Sequence, residues 1–89
     1  MIKEWSDDAW IEYEYCQMQD RKTLRKINNL IKDIERNGED KGIGDPEPLR
    51  HEWSGYWSRK IDKKNRLIYR INELNHLYIA SCKGHYDDK

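Results

Sequence analysis

Apolar and polar positions follow two periods along this 89-residue chain, helical in the first half and alternating in the second. Ile2–Trp5 predicts a short first strand. Ser6 follows, with Asp7 and Asp8 behind it. A hydroxyl at the cap and acids in the first turn meet the free N–H groups and the positive end of a helix dipole. The first helix is therefore predicted over about Asp7 to Gln19. Trp10, Tyr13 and either Cys16 or Gln17 should face inward, and Asp8, Glu12 and Glu14 should face water. Asp20 can cap a second helix. Its stripe is Leu24, Ile27, Leu30, Ile31 and Ile34, with cations on the other faces and Asn37-Gly38 as the stop.

The pattern changes after that stop. Residues 37–48, NGEDKGIGDPEP, hold three of the five glycines and both prolines, and predict a loop. Pro48 keeps Glu47 out of the α region, so Glu47 leaves the loop extended. Leu49–Glu52, Tyr56–Ile61, Arg66–Ile71 and Leu77–Cys82 then predict four strands, separated by short turn signals. Connections this tight make consecutive strands antiparallel. The predicted fold is α+β: an N-terminal strand, two helices, then a four-stranded antiparallel meander completing one sheet. The helices cover one sheet face and leave the other to a ligand.

Composition fits one domain over residues 1–89. Charged residues make up 38% and mean hydropathy is -1.21, but four Trp and six Tyr supply apolar area that disordered chains lack. The formal net charge of zero hides segregation. Residues 1–20 carry one cation against six acids, residues 21–36 six cations against two, and residues 49–70 seven against two. One face can thus meet a polyanion although the whole is neutral. Cys16 and Cys82 predict two reduced thiols, and Cys82-x-x-His85 has no second half for a metal site. The charged start has no signal-like apolar run, and no stretch approaches a membrane span, so a cytoplasmic protein is expected.

Candidate chemistry concentrates in Pro46–Arg66 and in the tail Lys83-Gly-His85-Tyr86. RNA can be cut without metal or cofactor when the neighbouring 2′-OH attacks the phosphate. The protein must remove one proton, give one to the leaving oxygen and stabilise the charge between. Glu47, His85 and Arg66 fit as base, acid and cation. Alternation puts Leu67, Tyr69 and Ile71 on the core face, and Arg66, Ile68 and Arg70 on the open one. A two-residue Lys63-Lys64 turn would pair Ile61 with Arg66 and bring Arg59 to the open face; a one-residue slip would bring Lys60 instead. Trp57 reads as core, and His51 and His76 as residues without a role. The cations of residues 21–26 form either a wet helix face or one that meets ribosomal RNA.

The chain resembles the YoeB (Txe) family of toxin–antitoxin ribonucleases, in the wider RelE superfamily. The resemblance rests on Trp5-Ser6, Ile27-Asn28-x-Leu30-Ile31-Lys32-Asp33, Pro46-Glu47-Pro48-Leu49, Ser54-Gly55-x-Trp57-Ser58-Arg59, Arg66-Leu67-x-Tyr69 and His85-Tyr86. It implies a small microbial-RNase-like fold. It implies an enzyme that enters the ribosomal A site, cuts mRNA there and is silenced by a YefM-like antitoxin. By position, Glu47 would be the base, His85 the acid and Arg66 the phosphate stabiliser. Arg50 and either Arg59 or Lys60 would contact phosphate, and Tyr86 would orient or stack on a nucleotide. A homodimer is part of the same implication, with DNA met only through the antitoxin complex.

Three positions and a C-terminal extension depart from the family pattern. Arg50 stands where lysine is common, Lys60 where arginine is common, and Asn65 where some members have histidine. Asp87-Asp88-Lys89 extends beyond the usual end. Two other roles use such a scaffold: a non-catalytic antitoxin-binding co-repressor, and a topoisomerase poison. Neither needs the base, cation and acid that this sequence retains.

Overall fold

In the computed structural model, which describes residues 1–84, β1 (Lys3–Trp5) leads into α1 (Asp7–Gln19) and α2 (Arg21–Asn37). The caps follow the sequence logic. Ala9 N donates to Ser6 Oγ at 3.0 Å, and that hydroxyl donates to Ala80 O at 2.7 Å, so the start of α1 is pinned to the last strand. Asp20 accepts from Thr23 N with one carboxylate oxygen and from Thr23 Oγ with the other. Its own N–H donates to Cys16 O, so a single residue ends α1 and starts α2. Gly38 closes α2 with a positive φ of 93°.

The rest is β2 (Glu47–Pro48), a short 3-10 turn at His51–Trp53, β3 (Trp57–Lys60), β4 (Arg66–Ile71) and β5 (Leu77–Ser81). The sheet order is β1-β5-β4-β3-β2. Strands β2 to β5 form the antiparallel meander, and β1 adds parallel to β5, with Lys3 opposite Leu77. The core lies between the helices and one sheet face. Ile27, Leu30, Ile31 and Ile34 of α2 join Ala9 and Cys16 of α1 against Leu67, Tyr69, Leu77 and Ile79. Trp57 packs partly buried at its edge.

Two expectations about individual elements are corrected. The strand expected at Leu49–Glu52 is the pair Glu47–Pro48 instead. Beyond Leu49 the chain spends its backbone groups locally: Trp53 N donates to Arg50 O, Ser54 N to His51 O and Tyr56 N to Trp53 O. The inward line of α1 also differs. Trp10 is 43% exposed, and Ala9 and Cys16 are the buried residues. Glu12 is not on the wet side: its Oε1 accepts from Cys82 N at 2.9 Å and Ser81 Oγ at 3.2 Å. Apolar residues ring this helix almost evenly, so spacing alone does not choose a face.

Candidate active site on the open sheet face

Register decides which cations share a face with Arg66. Lys60 lies opposite Arg66, Arg59 opposite Leu67 and Ser58 opposite Ile68. This is the slipped alternative, and Asp62 is its cause. Asp62 Oδ1 accepts from Lys64 N and Asn65 N, at 2.8 and 2.7 Å. Ile61 N and Asp62 N then both donate to Asn65 O. Two residues oppose one, which turns the strand over by one side chain.

Arg59 is consequently withdrawn as a phosphate contact. Its side chain is fully buried on the helix side. The guanidinium pairs with Asp33 Oδ2 at 2.5 Å and donates to the carbonyls of Ile43, Gly38 and Lys41, while Nε donates to Tyr69 Oη at 2.8 Å. Tyr69 Oη donates onward to Glu39 O. These bonds bind the whole 38–43 loop to β3 and β4. Gly42 is required there: its φ is +126°, and a Cβ would fall 1.7 Å from Asp33 Oδ2. The hydrogen bond from Arg59 is the main reason the Asp33 carboxyl sits below the usual carboxylate range. Burial pushes the Tyr69 hydroxyl up despite Arg59.

The opposite face carries the other residues. Glu47 lies across from Ser58, so Glu47, Ser58, Lys60, Arg66 and Ile68 project from one side of the sheet. Glu47 and Lys60 are exposed and Arg66 is half-buried. Arg50 is exposed just beyond β2. Lys60, Asp62, Lys63 and Arg66 line an open cleft of about 460 Å³, three cations to one acid. Lys60 Nζ pairs with Asp45 at 3.1 Å in solvent, a bond that competes weakly with a phosphate. Arg66 Nη1 donates to the Asp62 carbonyl at 3.2 Å rather than to its carboxylate, so the guanidinium charge is not cancelled by that contact.

Two rows along the strands from the cleft centre, the same face turns aromatic. Tyr56 packs edge-on against Trp53 and Tyr78, and the Arg70 guanidinium lies over the Tyr56 ring. His76 has a structural tie: its Nδ1 is 2.6 Å from Glu4 Oε2. Burial pushes the Cys82 thiol up to about 12, and Cys16 and Cys82 are both unbridged. His85 and Tyr86, the expected acid and stacking residue, lie outside the described residues.

Sequence reasoning missed the residues that fasten the approach to position 85. Asn65 Oδ1 accepts from Gly84 N at 2.9 Å, and Arg66 N donates to Gly84 O at 3.0 Å. The signal for Asn65 was its place between a turn-forming Asp and a site arginine, but its partner is 19 positions away.

A family model described as the YoeB-like toxin of bacterial type II toxin-antitoxin systems matches residues 5–86. The chain belongs to the YoeB-like toxin family. Toxin YoeB of Escherichia coli strain K12 is 45% identical over 82 residues, 92% of this chain and 95% of that protein. Toxin YoeB of Synechocystis is 49% identical over 78 residues, 88% of each. Among solved structures, the heterotetrameric YoeB–YefM toxin–antitoxin complex from Staphylococcus aureus contains a chain that superposes with a TM-score of 0.90 at 45% identity, covering 97% of this chain and 98% of that one. As a YoeB-like toxin the chain has the family's α+β architecture. YafQ from E. coli, at 19% identity and a TM-score of 0.76, shares the fold alone.

Proposed function

We propose that this toxin is a ribosome-dependent mRNA endoribonuclease, acting as one domain in the bacterial cytoplasm. The observation that carries the reading is the register that sets Glu47, Lys60 and Arg66 on one open sheet face, with a cationic cleft beside Arg66. Glu47 takes the proton of the 2′-OH. O2′ attacks the adjacent phosphorus, and the P–O5′ bond breaks as His85 gives its proton to O5′. The products are a 2′,3′-cyclic phosphate and a 5′-OH. Arg66 stabilises the charge on the non-bridging oxygens, Arg50 and Lys60 hold neighbouring phosphates, and Tyr86 orients a nucleotide. The A-site mRNA on the 70S ribosome completes the site, because it brings the 2′-OH and the scissile phosphate to the base and the cations.

A YefM-like antitoxin is the natural inhibitor, given the complex formed by the similar S. aureus YoeB. The YoeB dimer of the same organism supports self-association as part of this proposal. Induced expression of wild type beside Glu47→Ala, Arg66→Ala and His85→Ala, with mapping of mRNA 3′ ends, tests the reaction. Cuts within translated codons that vanish in all three variants are expected. Growth arrest with unchanged mRNA ends in the wild type defeats the reading and favours a non-nucleolytic target.

A further inference from the structure

The open sheet face carries a second cluster that the proposed reaction does not use. Tyr56, Arg70 and Tyr78 stand together there, each half-buried. Arg70 lies opposite Tyr78 in the β4–β5 ladder. The rings of Tyr56 and Tyr78 meet edge-on with centroids 6.4 Å apart, and Trp53 meets Tyr56 at 5.2 Å and 84°. The Arg70 guanidinium lies over the Tyr56 ring, 5.6 Å from its centroid. Arg70 is held quite differently from Arg59. Its side chain is 37% exposed, and its acidic partner Glu73 is 3.9 Å away and 84% exposed, a pair in solvent that contributes little. Its Nε is shut off from water and has no hydrogen-bond partner among the described residues. The ring, and not a set of acceptors, therefore fixes the guanidinium plane. A purely structural cluster gains nothing from this arrangement, because an aliphatic side chain would cover Tyr56 without leaving a donor unpaired.

We propose that Arg70, backed by Tyr56 and braced by Tyr78, is a stacking platform for one base of the mRNA beside the cut. The inference deepens the reading of this chain as an mRNA endoribonuclease and rests on it. Unpaired bases stack on aromatic rings and on guanidinium planes alike. Arg66 and Arg70 are four residues apart on one strand and share its open face, a separation of about 13 Å at the usual strand rise. A single strand anchored by a phosphate at Arg66 covers that distance within a few nucleotides. Lys60 lies on the same face opposite Arg66, so one polyanion meets the cleft and the platform together. Stacking of this kind tolerates any base, since every base has a π-face. It adds hold on the substrate and takes no part in proton transfer.

The test uses 70S ribosomes programmed with a series of mRNAs, each with an abasic sugar at one position on either side of the cut. For the wild type, one abasic position is expected to lower kcat/KM by about 5- to 100-fold, the effect of losing one stacked base. Arg70→Leu should lose a similar factor on the intact mRNA and less than about twofold more on that abasic mRNA, since the two changes remove one interaction. Arg70→Lys keeps the charge without the plane and should behave like Arg70→Leu. Tyr56→Leu should couple to the same position, and restoring the ring in Tyr56→Phe should restore the rate. On uncut mRNA, 2-aminopurine at that position should be quenched by Glu47→Gln toxin and much less by Glu47→Gln combined with Arg70→Leu. Each variant is assayed where its melting curve shows it fully folded. If Arg70→Leu slows cleavage by the same factor on every mRNA of the series, or Arg70→Lys matches the wild type, the platform does not stack a base and the inference falls, while the endoribonuclease reading stands. Altered self-association or antitoxin binding with no coupling to any base would make the cluster a protein surface and also overturn it. If the wild type leaves ribosome-bound mRNA uncut, the endoribonuclease reading falls and the inference with it.

Discussion

Arg59 and Lys60 are neighbours in the same strand, and they meet opposite fates. Arg59 points into the helix side, where five acceptors, one of them its ion-pair partner Asp33, saturate it. Lys60 points into the open cleft with Arg66 and Lys63. Both carry one positive charge, and only the pleat separates them. Charge that is fully spent on internal partners holds a loop in place; charge left to solvent can meet a ligand. Their difference is therefore a difference in what each removal should cost. Losses on the open face should appear in cleavage, and losses on the buried face in stability.

The largest effect should come from Glu47→Gln. Removing a general base typically costs about 10²- to 10⁴-fold. Cleavage of ribosome-bound mRNA should fall by that factor, while chemical denaturation should change by no more than about 0.5 kcal/mol, as expected of an exposed position. Arg59→Met reverses the pattern. It leaves Asp33 and several carbonyls without their donor, and a broken buried pair costs about 3–5 kcal/mol. Denaturant unfolding should show that loss, with the cleavage rate per folded molecule within about threefold of wild type. Arg59→Lys should recover little of it, since an ammonium cannot reproduce the guanidinium fork.

The acid limb of stability sharpens the contrast further. The Asp33 carboxyl is held below its ordinary range by Arg59, so the folded protein binds that proton less readily than the unfolded chain does. The resulting stabilisation is complete above about pH 4 and disappears as the pH falls through the lowered folded value. Unfolding curves from pH 7 to pH 3 should therefore steepen their decline in wild type. Asp33→Asn should start lower at pH 7 and converge with wild type in acid. A parallel decline in both proteins would remove Asp33 from the acid response. The smallest effect belongs to Lys60→Gln. Loss of one phosphate contact should weaken RNA binding uniformly across sequences and lower the salt slope by about 0.7. An unchanged slope would take Lys60 out of the interface.

How much of this was legible in the sequence varied with the range of the interaction. Ser6, Asp20 and Gly38 announced the helix ends because capping is local chemistry. The strand Arg66–Ile71 was legible in its bounds and in its core residues Leu67 and Tyr69, although Ile68 on the other face is fully buried as well. Trp10 misled because α1 is apolar nearly all round, and the choice of inward face was made by Glu12 reaching the end of β5. The hairpin register stayed open between two alternatives because Asp62, not the two lysines, builds the turn. Glu47 and Arg66 could be proposed from residue type and neighbours, and the register sets them on one sheet face. Arg59 could not be separated from Lys60 without the register, and the bond Asn65 makes could not be read from its local setting, since its partner is a backbone N–H of distant sequence.

One feature of the sheet bears on when this toxin can exist. Strand β1 has its parallel place against β5, with Lys3 beside Leu77 and Trp5 beside Ile79. The first strand to leave the ribosome thus waits for the last one, and long-range parallel pairing of this kind is slow to form. The helical hairpin can assemble early from its own neighbours, but the sheet that carries Glu47 and Arg66 closes only after nearly the whole chain has emerged. Completion of the sheet is in this sense post-translational by topology: the strand made first has its place only beside the strand made last.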